Sequence, residues 1–257
     1  MIAVADAHCH LEDEAFATSL PQVVEAAEQA GVCLMVTAAV IPEQWEKSLS
    51  IAKTYSSVKC ALGIHPWFVK SAYADDISRL AETCARGAAA VGEIGLDRQT
   101  GSLEEQIPFF EEQLALARDE GLPVVVHCRS AFDALYASVK RIGLPETGGV
   151  IHAFNGSPEL AEQFARLGFS FSLGGALTFR DSRRRAEMLR RIYPTRFLLE
   201  TDSPAIPPAE TQGKTNTPAN ILYSLQAASE IIGLPIEEVA RTALENTERI
   251  FGCAKNN

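Results

Sequence analysis

Positive charge is in short supply in this 257-residue chain: 23 Lys and Arg stand against 33 Asp and Glu, for a formal net charge of −10. That balance excludes a broad nucleic-acid surface, which neutralises phosphates with Lys and Arg, so a polyanionic substrate must be held locally, by metal ions and a few cations. Long hydrophobic runs are missing as well. No apolar stretch approaches the roughly 18 residues that span a bilayer, and the opening MIAVADAHCH has neither the basic segment nor the cleavage site of a secretory leader. The expectation is a cytoplasmic protein that does not engage a membrane. The six cysteines, Cys9, Cys33, Cys60, Cys84, Cys128 and Cys253, form no C-x-x-C pair, and the expected state is reduced, buried thiols. Nothing in the chain calls for an obligate protein partner.

What is present is a repeating alternation. Apolar runs rich in β-branched residues begin near Ile2, Cys33, Lys59, Ala89, Pro123, Gly149, Phe169 and Phe197. Between them lie helical patterns over Leu20–Ala30, Glu43–Tyr55, Asp75–Arg86, Leu103–Glu120, Phe132–Ile142, Pro158–Leu167 and Asp181–Ile192, followed by two more near Ala219–Ile232 and Ile236–Phe251. Strand-plus-helix units of about 30 residues without hairpin signals predict parallel strands closing into a single-domain (β/α)8 TIM barrel. An open doubly wound sheet is the alternative, but it would not bring the first and eighth strands together. Ser157-Pro158 and Thr217-Pro218 each read as an N-cap hydroxyl before a first-turn proline. The proline-rich segment 203–217 is expected to be a stiff loop over the catalytic face.

All five histidines, His8, His10, His65, His127 and His152, fall at or just beyond the end of an apolar run, the place where a barrel builds its active site. In Asp6-Ala7-His8-Cys9-His10, alternation puts both imidazoles on one strand face, with Asp6 deeper. Glu93 ends the fourth run, flanked by Gly92 and Gly95; an isolated buried glutamate is costly, so it is metal-bound, paired or protonated. His127 and Arg129 share a face on the fifth strand, His152 ends the sixth, and Asp202 follows the eighth. Four histidines (His8, His10, His127, His152) and two carboxylates (Glu93, Asp202) suffice for two divalent metal ions. The predicted chemistry is two-metal hydrolysis in which water is acidified and Asp202 takes up its proton. Zinc, manganese, magnesium, nickel and iron all stay open, although the imidazole-rich set suits magnesium least.

These residues sit in motifs that resemble, from end to end, those of the TatD family of metal-dependent deoxyribonucleases in the amidohydrolase-like superfamily. The motifs are DAHCHL (6–11), ALGIHPW (61–67), VGEIGLD (91–97), the helix from Gln106 to Ala117, LPVVVHCR (122–129), GVIHAFNGS (149–157), LGG with LTF (173–179), LLETDSP (198–204) and N-T-x-R-I-F (246–251). The resemblance implies that residues 1–257 form one TatD-like hydrolase barrel. It also implies that His8, His10, Glu93 and Asp202 surround one ion, and that Glu93, His127 and His152 surround the second. The implied activity is cleavage of DNA phosphodiesters at a DNA end, often 3′ to 5′. Three departures stand out: Thr215-Asn216-Thr217-Pro218 where the family often has Arg-Asn-x-Pro, Trp67 where a second His is more usual, and Asn155 where Ser is common. Arg129 and Lys214 are left as the candidate phosphate partners, with His65 facing the pocket; a merely solvated Lys214 reads equally well.

Two other functions compete. Hydrolysis of C–O or C–N bonds in the wider superfamily often uses a carbamylated Lys as the bridge, and here that position holds Glu93. Within the TatD-like group, deacylation of D-aminoacyl-tRNA esters remains open, because a two-metal site attacks an ester as readily as a phosphodiester. A non-catalytic barrel is disfavoured, since no ligand position is missing.

Overall fold

The computed structural model describes residues 2–71, 75–179 and 183–252. Its eight strands are β1 (Val4–Cys9), β2 (Val32–Ala39), β3 (Val58–Leu62), β4 (Ala90–Asp97), β5 (Val124–Arg129), β6 (Gly149–Ile151), β7 (Phe169–Leu173) and β8 (Phe197–Leu199). Every adjacent pair from β1 to β8 is parallel, in sequence order. The ring closes just past the strand ends, where Asp202 N–H donates to His8 O at 3.0 Å and His10 N–H donates to Ser203 O at 2.8 Å. The fold is a (β/α)8 TIM barrel, and the open sheet is excluded.

Helices α1 (Leu20–Ala30), α2 (Pro42–Thr54), α3 (Asp76–Cys84), α4 (Leu103–Glu120), α5 (Phe132–Ile142), α6 (Pro158–Arg166), α7 (Arg183–Ile192), α8 (Ile221–Ile232) and α9 (Ile236–Phe251) complete the units. Four of these nine, α1, α4, α5 and α9, match the sequence boundaries to the residue, and several helix ends are chemically marked. In α6 the Ser157 hydroxyl accepts from Leu160 N–H at 3.2 Å ahead of Pro158, and Gly31 and Gly121 end α1 and α4 in the left-handed region. The expectation for Thr217 is corrected: its side chain caps nothing, Pro218–Asn220 forms a single tight turn, and α8 begins only at Ile221. Asn216 explains this, since its side chain accepts from Thr217 N–H at 3.0 Å and from Asn220 Nδ2 at 3.0 Å, organising the turn from one residue earlier. Residues 181–182 of the seventh helical pattern lie outside the described residues.

The core follows the strand alternation. On β5, Val124, Val126 and Cys128 join the apolar layer between sheet and helices, while Val125 belongs to a second, smaller cluster with Val150, Leu198 and Ala90. His127 and Arg129 carry the Val125 face to the strand end. β4 and β5 approach so closely that a Cβ on Gly95, which has φ +149°, would lie 1.9 Å from His127 O. Glycine is therefore required beside His127. No described helix is long and apolar enough to cross a membrane.

Candidate metal centre

Glu93 is buried at the centre of the site, and its two oxygens face different partners. Oε2 lies 3.5 Å from His8 Nε2 and 3.6 Å from His10 Nε2, and Asp202 Oδ1 stands 3.4 and 3.3 Å from those same nitrogens. Oε1 lies 2.9 Å from His152 Nε2, 3.3 Å from His127 Nδ1 and 3.2 Å from His65 Nε2. Ligands about 2.1 Å from a tetrahedral ion are separated from one another by about 3.4 Å, which is the spacing these donors show. His8 is fully buried, and neither of its ring nitrogens has a hydrogen-bond partner. Burying an imidazole in that state is costly unless something else takes its lone pair. The donor set thus fits divalent ions on chemistry, spacing and this orphaned histidine.

Backbone geometry aims these groups. Asp202 adopts φ 54°, in the left-handed region, held by its bond to His8 O. Asp6 ties the same seam, accepting from Thr201 N–H at 2.9 Å and Thr201 Oγ1 at 2.5 Å, and burial pushes its carboxyl up to about 8. In the protein without ions, protons on histidine balance the carboxylates. Against the cost of burial, Glu93 raises His152 to about 9, and Asp202 and Glu12 hold His10 well above the ordinary imidazole value. Burial and the His152 charge push His8 down to about 4. Despite their own burial, Glu93 and Asp202 are held well below the usual carboxylate range, Glu93 by His152 and His65 and Asp202 by the neighbouring His10 and His8 imidazoles.

Three carboxylates that the sequence reading passed over stand behind the histidines. His10 Nδ1–H donates to Ala38 O at 2.7 Å with Glu12 Oε1 3.3 Å away, which leaves the Nε2 lone pair for the centre. Asp97 Oδ2 lies 3.3 Å from His127 Nε2 and turns Nδ1 inward in the same way. Glu200 Oε2 is 3.9 Å from His152 Nδ1; Glu200 also accepts from Ser172 Oγ and from Ala153 N–H at 2.8 Å, and burial raises its carboxyl to about 7. Partners such as Ala38 O and Glu12 behind His10 and Asp97 behind His127 fix the tautomer and direction of a ligating imidazole, whereas His152 Nδ1 makes no hydrogen bond and meets Glu200 only as a nearby charge. A signal for them existed: Glu12, Asp97 and Glu200 lie two, four and two residues from His10, Glu93 and Asp202, the even spacing that shares a strand face. Gly174 makes room for Glu200, since a Cβ there would sit 2.8 Å from Glu200 O and 3.1 Å from its Cγ.

The six predicted ligands therefore converge. His65 joins them through Glu93, and Arg129 lies at the wall of the adjoining cavity, about 600 Å³ in volume, which Pro204, Ala205 and Ile206 of the proline-rich loop also line. Lys214 does not converge: it is exposed, in the turn whose backbone bond runs from Lys214 N–H to Thr211 O at 3.1 Å, and it is not part of that wall. Its alternative reading, a solvated side chain, is the one the structure fits.

An eight-stranded barrel with a histidine and carboxylate cluster at its strand ends defines a metal-dependent hydrolase of the TIM-barrel class. The comparisons narrow that class: a family model described as TatD related DNase matches residues 5–252, and the chain belongs to the TatD family. Escherichia coli YjjV, described as an uncharacterized metal-dependent hydrolase, is 33% identical over 251 residues, covering 96% of each chain. Its crystal structure matches with a TM-score of 0.91 at 32% identity, over 97% of this chain and 98% of that one. The human deoxyribonuclease TATDN3 is 30% identical over 266 residues, covering 97% of this chain and 95% of its own. The protein is a metal-dependent hydrolase of that family.

Proposed function

We propose that the protein is a deoxyribonuclease that hydrolyses phosphodiester bonds at a DNA end, with Glu93 shared by the two donor sets that would hold two divalent ions. The observation that carries this reading is the division of the Glu93 oxygens between two donor sets. His8, His10 and Asp202 would hold one ion with Oε2, and His127 and His152 the other with Oε1. When bound, such ions supply Lewis acidity that acidifies water and offsets charge on the scissile phosphate. Asp202 stays ionised across the neutral range and accepts the proton of the attacking water. Arg129, on the cavity wall, binds a phosphate oxygen. Charge supports exonucleolytic action: a net −10 chain whose candidate site opens on one local cavity suits a strand end better than a long duplex tract.

The test is metal analysis of purified protein together with hydrolysis of end-labelled, internally labelled and circular DNA across manganese, magnesium, zinc and cobalt, with an uncharged ester alongside. Release of mononucleotides from linear DNA, little action on circles and two bound ions per chain are expected. Asp202→Asn should retain at least part of the metal and lose turnover by a factor on the order of 10² or more. Cleavage of the ester with no action on DNA would overturn the substrate, and wild-type turnover in Asp202→Asn would overturn the role of the base.

A further inference from the structure

Trp67 is the most exposed large apolar side chain among the described residues, at 51%, yet it is firmly held. Its indole N–H donates to Asp97 Oδ2 at 2.6 Å, its backbone N–H donates to His65 Nδ1 at 3.2 Å, and its ring meets His65 edge-on at 4.9 Å between centroids. The indole lines the same cavity as Arg129. Arg129 and Asp97 are cross-strand partners on β5 and β4, about 4.8 Å apart. Asp97 therefore stands between a fixed aromatic face and a cation. Arg98 next to it is tied to Asp133 at 2.8 Å, whereas among the described residues no carboxylate pairs with Arg129. A planar apolar face beside an uncommitted guanidinium matches one ligand chemistry, a heterocyclic base carried on a phosphate.

We infer that Trp67 is the stacking platform for the nucleobase of the nucleotide whose phosphate lies at Arg129, which rests on the deoxyribonuclease reading above. The same side chain is also a positioning residue, because its indole N–H shares Asp97 Oδ2 with His127. The two roles separate by substitution. Trp67→Phe keeps an aromatic face and loses the N–H; Trp67→Ala loses both.

The metal-loaded enzyme is assayed on oligonucleotides ending in a normal nucleotide or in an abasic residue. Trp67→Ala should raise KM for the base-bearing end about tenfold and for the abasic end less than about twofold. Trp67→Phe should hold KM within about threefold of wild type while kcat falls. Separately, deoxyadenylate should quench the emission of the metal-loaded protein and deoxyribose 5-phosphate should not. That quenching should vanish in Trp67→Phe, where only Trp45, 1% exposed, remains. Equal KM rises on both ends in Trp67→Ala, or equal quenching by both ligands, overturns the stacking role. If the wild type cleaves neither oligonucleotide, the deoxyribonuclease reading falls by itself and the quenching decides the platform.

Discussion

His65 presents its Nε2 to Glu93 as a hydrogen donor. Its Nδ1 accepts the Trp67 backbone N–H at 3.2 Å, so in the neutral ring the hydrogen sits on Nε2, 3.2 Å from Glu93 Oε1. His127 has the opposite arrangement, with Nε2 toward Asp97 and Nδ1 toward Glu93 and His152 Nε2. His65→Ala should therefore keep two metal equivalents after dialysis and lower their affinity about tenfold, the usual effect of an outer partner. His127→Ala should lose one equivalent. A missing equivalent in His65→Ala would make His65 a ligand.

The proposed phosphate recognition, limited to the centre and Arg129, should make binding of a DNA end only mildly sensitive to salt. At saturating metal the log–log slope of affinity against salt should correspond to about one to three contacts, and Arg129→Ala should reduce kcat/KM for DNA far more than for an uncharged ester. A slope of about six or more would reveal an extended groove.

The buried thiols fix an alkaline limit. Burial raises Cys60 to about 11 and Cys84 and Cys128 to about 12, above the ordinary thiol value of 9.0. The folded chain thus keeps protons that the unfolded chain loses above pH 9. Their contribution to stability is complete below that pH and declines as pH rises toward 12. Thermal unfolding should move to lower temperature between pH 9 and 11. Iodoacetamide at pH 8 followed by peptide mapping should label Cys33, the exposed thiol among the described residues, ahead of Cys9, Cys60, Cys84 and Cys128.

Asn246 anchors β8. Its Nδ2 donates to Pro194 O at 2.6 Å and Phe197 O at 2.9 Å, joining α9 to the start of the strand that delivers Asp202. Asn246→Ala strands two carbonyls and should cost about 2–4 kcal/mol, lowering the melting temperature by about 5–10 °C in a chain of this size. A melting temperature unchanged in calorimetry would show the anchor to be dispensable.

The barrel was legible because each unit repeats the same pattern and its helix ends carry local signals, as Ser157-Pro158 and Gly121 do. Much of the convergence of the six candidate ligands was legible because period two holds within a strand, so His8 with His10, like His127 with the cavity-wall Arg129, needed no tertiary knowledge. Lys214, exposed and off the cavity wall, was not placeable for the complementary reason: its position depends on the path of the loop after β8, which no periodicity encodes. The backing carboxylates were hidden by a different ambiguity. Glu200 and Asp202 are alike in sequence, and only the packing of Gly174 and Ser172 against one of them separates their environments.

The seam between β1 and β8 gives the site an order of assembly. Asp6 and Thr201, 195 residues apart, are joined there, beside candidate ligands contributed by the first ten residues and by residue 202. A chain still being synthesised holds the two imidazoles of its N-terminus without their carboxylate, and contacts of such sequence separation are the slowest to form. Truncated fragments of this chain are consequently incomplete catalysts, and hydrolytic competence arises only once the ring has joined its own ends.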